Sequence, residues 1–153
     1  MSEQKAKTRQ VSRRVKFLIL ADPSALGPVR AAVEKLAEEI GFSEADGGGI
    51  ALAHDEALAN VIKHGYGGSC AKPIEILMQE IHEANEQKGI EVVIRDQGRQ
   101  VDPEVIQGRD LDDVRPGGLG THIIRHIMDE VHYEKASKGG MRLRMRKYLS
   151  KKK

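Results

Sequence analysis

Two apolar runs, KPIEILMQEIHE (72–83) and GIEVVIRD (89–96), stand on either side of the short turn-like ANEQK. Strand-length apolar segments joined by so few residues predict an antiparallel hairpin. A hairpin is marginal alone and needs a second layer over its apolar face. The remaining segments supply that layer and further strands. RRVKFLIL (13–20) alternates Val15, Phe17 and Ile19 with Arg14, Lys16 and Leu18, which predicts a strand buried mainly on one face. In ADPSALGPVRAAVEKLAEEIGF, Leu26, Val29, Val33, Leu36, Ala37 and Ile40 recur at helical spacing. Pro28 falls in that helix's first turn, where a missing N–H does no harm, and Gly41 is a natural stop.

SEADGGG (43–49) reads as a breaker segment, and a second helix is expected after it, within LAHDEALANVIKHGYGG (52–68). The mixed-charge stretch 97–117 has weak periodicity and reads as a long loop, a kind of segment that tends to be functional or mobile. GLGTHIIRHIMDEV then predicts a third helix with Leu119, Ile123, Ile124, Ile127, Met128 and Val131 on its buried edge. Two last strands, VHYEKAS and MRLRMRKYL, flank the turn KGG. The order β-α-α-β-β-α-β-β, without internal repeats, predicts one α+β domain: a two-layer sandwich with helices on one face of a mixed, mainly antiparallel sheet. We expect that domain over 13–149, with a flexible tail at 1–12 and a basic tail at 150–153.

Composition narrows the function classes. The chain has 153 residues, 39% hydrophobic and 31% charged, the balance of a soluble globular domain. Aromatics are 3% and Trp is absent, so a base-stacking surface for single-stranded nucleic acid is poorly supplied. The net charge of +2 is concentrated at the ends, where lysine-rich tails are ordinarily solubilising, so no direct nucleic-acid partner is expected. One cysteine, Cys70, excludes an internal disulfide and fits a reducing compartment. No run approaches a membrane span and MSEQKAKTRQ has no hydrophobic signal stretch, so the expectation is a cytoplasmic protein without membrane contact of its own.

Three stretches could carry chemistry. In HDEALANVIKHGYGG, at 3.6 residues per turn, Asn60 falls about 40° and Lys63 about −20° from Glu56, opposite the arc of Ala57, Leu58, Val61 and Ile62. Periodicity alone favours a solvated polar face there. Asn60 is the odd member, because asparagine is a mediocre helix former with no capping role in mid-helix. A carboxylate one turn from an amide oxygen could activate a nucleophile and help hold a divalent cation. In IRDQGRQVD, Asp96 closes a buried strand and Gly98 lets the backbone turn away, so a carboxylate is available to an exocyclic amine; an ordinary Asp/Gly turn reads the same. In RPGGLGTHII, glycines before an amphipathic helix leave backbone N–H groups at its positive end, with Arg115 beside them. A flexible linker reads the same. It is neither a Walker A sequence nor a dinucleotide fingerprint.

Taken together and in this order, HDEALANVIKHGYGG, IRDQGRQVDP and RPGGLGTHIIRHIMDEVHY resemble the N box and two glycine boxes of the histidine-kinase-type ATPase superfamily (gyrase, chaperone, histidine kinase, MutL). More closely, the chain resembles the small bacterial anti-sigma factor serine-protein kinases and their single-domain relatives, over roughly residues 13 to 149. The resemblance implies the Bergerat-type sandwich with ATP between the helical layer and a lid. It implies Glu56 as general base, Asn60 as the Mg²⁺ ligand, and Asp96 on the adenine amino group with Gly98 admitting the base. It implies phosphate contacts from Gly118, Leu119, Gly120 and Thr121, Arg115 on the γ-phosphate, and Lys63 and His64 near the phosphates. Sensor histidine kinases usually lack an acidic residue four before that asparagine, so Glu56 points to phosphorylation of a hydroxyl.

The implied function is an ATP- and Mg²⁺-dependent serine/threonine kinase acting on a small anti-sigma factor antagonist, with a sigma factor as a further partner and a role in transcription regulation. The alternative is a nucleotide-binding partner-docking module with little catalysis, and Met141, where many relatives carry Thr, argues mildly for it. The alternating MRLRMR leaves a homodimer through the sheet open, but Met141, Leu143 and Met145 facing the domain's own helices is the preferred reading.

Overall fold

A computed structural model of the chain describes residues 12–104 and 119–150. The first strand, β1 (Arg14–Ala21), half-buries Phe17 and Ile19 and turns Leu18 and Leu20 outward, as the alternation predicts for a one-faced strand. Asp22 follows, its carboxylate accepting the Ser24 N–H at 2.9 Å, and starts the short turn Pro23–Ala25 that leads into α1 (Leu26–Ile40). The predicted stripe Val29, Val33, Leu36, Ala37 and Ile40 is buried, and Gly41 ends the helix at φ 120°, a backbone conformation that favours glycine.

One boundary differs from expectation. Residues 43–49 do not break the chain: α2 spans Glu44–Asn60 and takes all three glycines into its first turns. Ser43 caps it, its hydroxyl accepting the Asp46 N–H at 3.1 Å, and Glu44 and Asp46 lie in the first turn, where negative charge suits the helix dipole. Gly47 is buried where α2 meets α1; a methyl there would lie 3.6 Å from the Ala37 Cβ. Close packing and a capped start outweigh a glycine cost of about 1 kcal/mol per residue.

The sheet runs in the order β1, β2 (Cys70–His82), β3 (Lys88–Arg95), β5 (Met141–Tyr148), β4 (Glu130–Lys135), and every neighbouring pair is antiparallel. The expected mixed sheet is therefore antiparallel throughout. Two helices between β1 and β2 return the chain to the end it left, so β2 must run back. β3 and β4 share a direction, but β5 lies between them and no parallel pair forms.

The helix predicted from GLGTHIIRHIMDEV, α3 (Leu119–Ile127), is shorter than expected. The Lys147 ammonium bonds the Ile127 carbonyl at 2.8 Å, and Asp129 N–H already pairs with the Arg146 carbonyl at 2.9 Å. Val131 consequently belongs to β4, while Ile124 and Met128 are buried under the helices. α2 packs between α1 and α3. Beneath them Ile74, Ile76, Met78, Ile90, Val92 and Ile94 form the core with Leu143 and Met145. Met141, Leu143 and Met145 thus face the domain's own interior, and the apolar side of MRLRMR needs no second chain to cover it. Among the described residues no helix is long and apolar enough to cross a membrane.

Candidate functional site

The polar face of α2 survives in the structure. Glu56 and Asn60, one turn apart, are half-buried, while Ala57 and Leu58 beside them point into the core. The start of α3 lies against that face. A methyl built on Gly120 would stand 2.6 Å from Glu56 Oε2 and 3.6 Å from Asn60 Nδ2. The second glycine box and the N box, 60 residues apart in sequence, are therefore in contact, and glycine at 120 keeps the space in front of the carboxylate open. A phosphate group and its cation need such a gap between a helix start and an amide, so the residues present fit that ligand.

α2 does not end as an α-helix. Val61–Gly65 form a π turn, closed by Tyr66 N–H to the Val61 carbonyl at 3.0 Å. Residues in this wider turn advance by less than the α-helical step. The spacing that put Lys63 on the Glu56–Asn60 stripe accordingly stops at Asn60, and Lys63 and His64 are both exposed on the turn.

Asp96 lies just after β3, against the turn that ends α2. A methyl on Gly65 would lie 3.8 Å from its Oδ1. The carboxylate is buried, and Oδ1 accepts both Gly98 N–H at 2.8 Å and Met141 N–H at 3.2 Å. Burial pushes the Asp96 carboxyl above the usual range, against those two hydrogen bonds, which pull it down. Among the described residues no donor is directed at Oδ2, which remains the acceptor available to a ligand amine.

Gly98 has a backbone reason that comes before any ligand. A side chain there would run into the Gly65 carbonyl, the same carbonyl that accepts Arg99 N–H at 2.9 Å. Gly140 is equally constrained: at φ 77°, it leaves no room for a Cβ against the Asp96 carbonyl. Met141 lies directly beside Asp96, its sulfur accepting Val101 N–H at 3.5 Å and its carbonyl accepting Asp96 N–H at 3.0 Å. The surroundings of Asp96 are thus built by β3, β5 and the turn after α2.

Leu119 is the first residue of α3, Gly120 is buried, and Thr121 is half-buried. Arg115 and Gly118 lie outside the described residues. Two residues carry little signal in the sequence, Tyr66 beside the site and His54 in the core beneath α2. Tyr66 donates its hydroxyl to the Pro73 carbonyl at 2.6 Å and accepts Gln97 N–H at 2.7 Å, and its only sequence signal was a lone tyrosine before two glycines. His54 is fully buried on α2, and neither ring nitrogen has a hydrogen-bond partner among the described residues. Burial lowers its pKa to about 4, so it is neutral. Its neighbour Asp55 pairs with Arg30 of α1.

Residues 19–147 match the histidine kinase-like ATPase domain. The chain is 26% identical over 144 residues to the serine-protein kinase RsbW of Bacillus velezensis, an alignment covering 89% of this chain and 86% of that protein. Two solved structures share the fold. The RsbU and RsbW domains of Rv1364c from Mycobacterium tuberculosis align with a TM-score of 0.59 at 17% identity, over 88% of this chain and 32% of that one. The SiaB–SiaC complex from Pseudomonas aeruginosa aligns with a TM-score of 0.60 at 10% identity, over 93% of this chain and 92% of that one. With the family match spanning both ends of the sheet and helices α1, α2 and α3, the chain belongs to the histidine kinase-like ATPase domain family.

Proposed function

We propose that this protein is an ATP- and Mg²⁺-dependent serine/threonine kinase that phosphorylates a small antagonist protein in a partner-switching system, with a sigma factor as its other partner. The observation that carries this reading is the contact of the Gly120 turn with Glu56 and Asn60, which sets a candidate base beside a candidate phosphate cradle. The relative named serine-protein kinase RsbW and the fold shared with the SiaB–SiaC complex support it.

In this reading Asp96 Oδ2 accepts from the adenine amine and Gly98 leaves the base room. Backbone N–H groups of Gly118, Leu119, Gly120 and Thr121 take the phosphates, with Arg115 on the terminal one and Lys63 and His64 at the margin. Among the described residues no three His, Cys, Asp or Glu side chains gather into a metal cage. Asn60 together with substrate phosphates suits Mg²⁺, which keeps few protein ligands. Mg²⁺ bound there would neutralise phosphate charge. Glu56 takes the proton of the partner's serine or threonine hydroxyl as that oxygen bonds to the terminal phosphorus and ADP leaves. The domain doing this work spans 13–149.

A transfer assay with radiolabelled ATP and a candidate antagonist protein tests the reading. Wild type is expected to label the antagonist, and Glu56→Gln to lower the rate roughly 10²–10⁴-fold, the usual worth of a positioned base. Undiminished transfer by the variant would remove Glu56 as base. ATP binding without any transfer would leave a nucleotide-dependent docking module instead.

A further inference from the structure

The base end of the site is held by a residue that touches no nucleotide in any of the roles above. The turn after α2 and the turn after β3 are joined by two hydrogen bonds, Arg99 N–H to the Gly65 carbonyl at 2.9 Å and Gln97 N–H to the Tyr66 hydroxyl at 2.7 Å. The Tyr66 hydroxyl is itself anchored on the Pro73 carbonyl of β2 at 2.6 Å. Its ring is partly buried, with the Lys72 ammonium 5.8 Å from the ring centre. One hydroxyl thus ties three segments together: the π turn of α2, the start of β2, and the residue immediately after Asp96.

Asp96 is held on its other side by Met141 N–H and within its own turn by Gly98 N–H, both on Oδ1. What sets the direction of Oδ2 is therefore the path of the backbone through 96–98. The Tyr66 hydroxyl is the side-chain group that holds that path from outside. Burial raises the Tyr66 phenol above its ordinary pKa, so it keeps the proton it donates to Pro73 while accepting from Gln97.

We propose that Tyr66 is a positioning residue for adenine: its hydroxyl fixes the Asp96–Gly98 turn so that Asp96 Oδ2 meets the exocyclic amine of the base. The inference rests on the nucleotide-site reading above and names a specificity determinant within it. Tyr66→Phe keeps the ring and its packing but leaves Gln97 N–H and the Pro73 carbonyl without their partner. The two turns then separate or shift, and the loss falls on the part of affinity that comes from the amine.

Equilibrium binding of ATP and of purine riboside triphosphate, which lacks the exocyclic amine, separates this from a general structural role. Wild type is expected to prefer ATP. In Tyr66→Phe, ATP affinity falls roughly three- to tenfold, as for the loss of partly exposed hydrogen bonds, while purine riboside triphosphate is unaffected. Amide exchange at Gln97 accelerates in the same variant. Tyr66→Phe with wild-type ATP preference overturns the inference and leaves the nucleotide site standing. Equal weakening of both ligands, or loss of the folded state, assigns Tyr66 a structural role only and overturns it as well. A wild type that binds neither ligand removes the nucleotide-site reading, and the inference with it.

Discussion

His54 stands two residues before Glu56, wholly inside the helical layer, with no partner for either ring nitrogen among the described residues. A neutral imidazole is tolerable there; an imidazolium is not, and burial holds the pKa at about 4 against an ordinary 6.5. Between those values the unfolded chain binds a proton that the native state does not. Stability from this residue is therefore complete above pH 6.5 and is lost progressively as pH falls towards 4. Going from pH 7.5 to pH 5 should remove about 2 kcal/mol of unfolding free energy through His54 alone. Urea unfolding at the two pH values checks this in wild type and in His54→Leu, where the loss should largely disappear. An identical acid loss in the variant would place the sensitivity elsewhere.

At the scale of the element, α2 carries both the cost and the site. Gly48 is exposed in its first turns, and a methyl there would meet nothing within 4 Å. Gly48→Ala should stabilise the protein by roughly 0.5–1 kcal/mol, because alanine loses less backbone freedom in a helix. A raised thermal midpoint is the expected reading, and a lowered one would mean that the helix needs the glycine for a reason its packing does not contain.

The glycine run also shows why this helix's start was illegible in the sequence. Three consecutive glycines are a breaker by local propensity, and the Ser43 cap with the packing of Gly47 against Ala37 and of Gly49 against Ile127 reverses that. The α1 stripe and the β2–β3 hairpin were legible because periodicity records burial directly. The π turn was not, since apolar spacing carries no record of which carbonyl an N–H chooses. The candidate site divides in the same way. Glu56, Asn60, Asp96 and Gly120 are residue types in a recognisable order, whereas Tyr66 acts through carbonyls and N–H groups supplied by distant segments. The backbone reasons for Gly98 and Gly140 are contacts with Gly65 and Asp96, and no local pattern announces them.

For the whole molecule, the decisive relation is that α2 lies between α1 and α3, so a ligand gripped by both α2 and α3 must stabilise the entire helical layer. ATP with Mg²⁺ at about 100 times its dissociation constant should add about 2.7 kcal/mol, which for a domain of this size is a midpoint rise of roughly 5–10 °C. Gly120→Ala tests whether the α2–α3 contact mediates that rise. The added methyl would meet the Glu56 carboxylate, the far end of a flexible side chain, so the fold survives and Glu56 is what moves. Alanine is also the better helix former. The ligand-free midpoint should therefore hold or increase slightly, while the rise with ATP and Mg²⁺ shrinks, because the displaced carboxylate occupies the space kept open between α3 and Asn60. Should Gly120→Ala keep the full ATP-dependent rise, the gap between the two helices is not where the phosphates bind, and the catalytic role assigned to Glu56 loses its geometric basis.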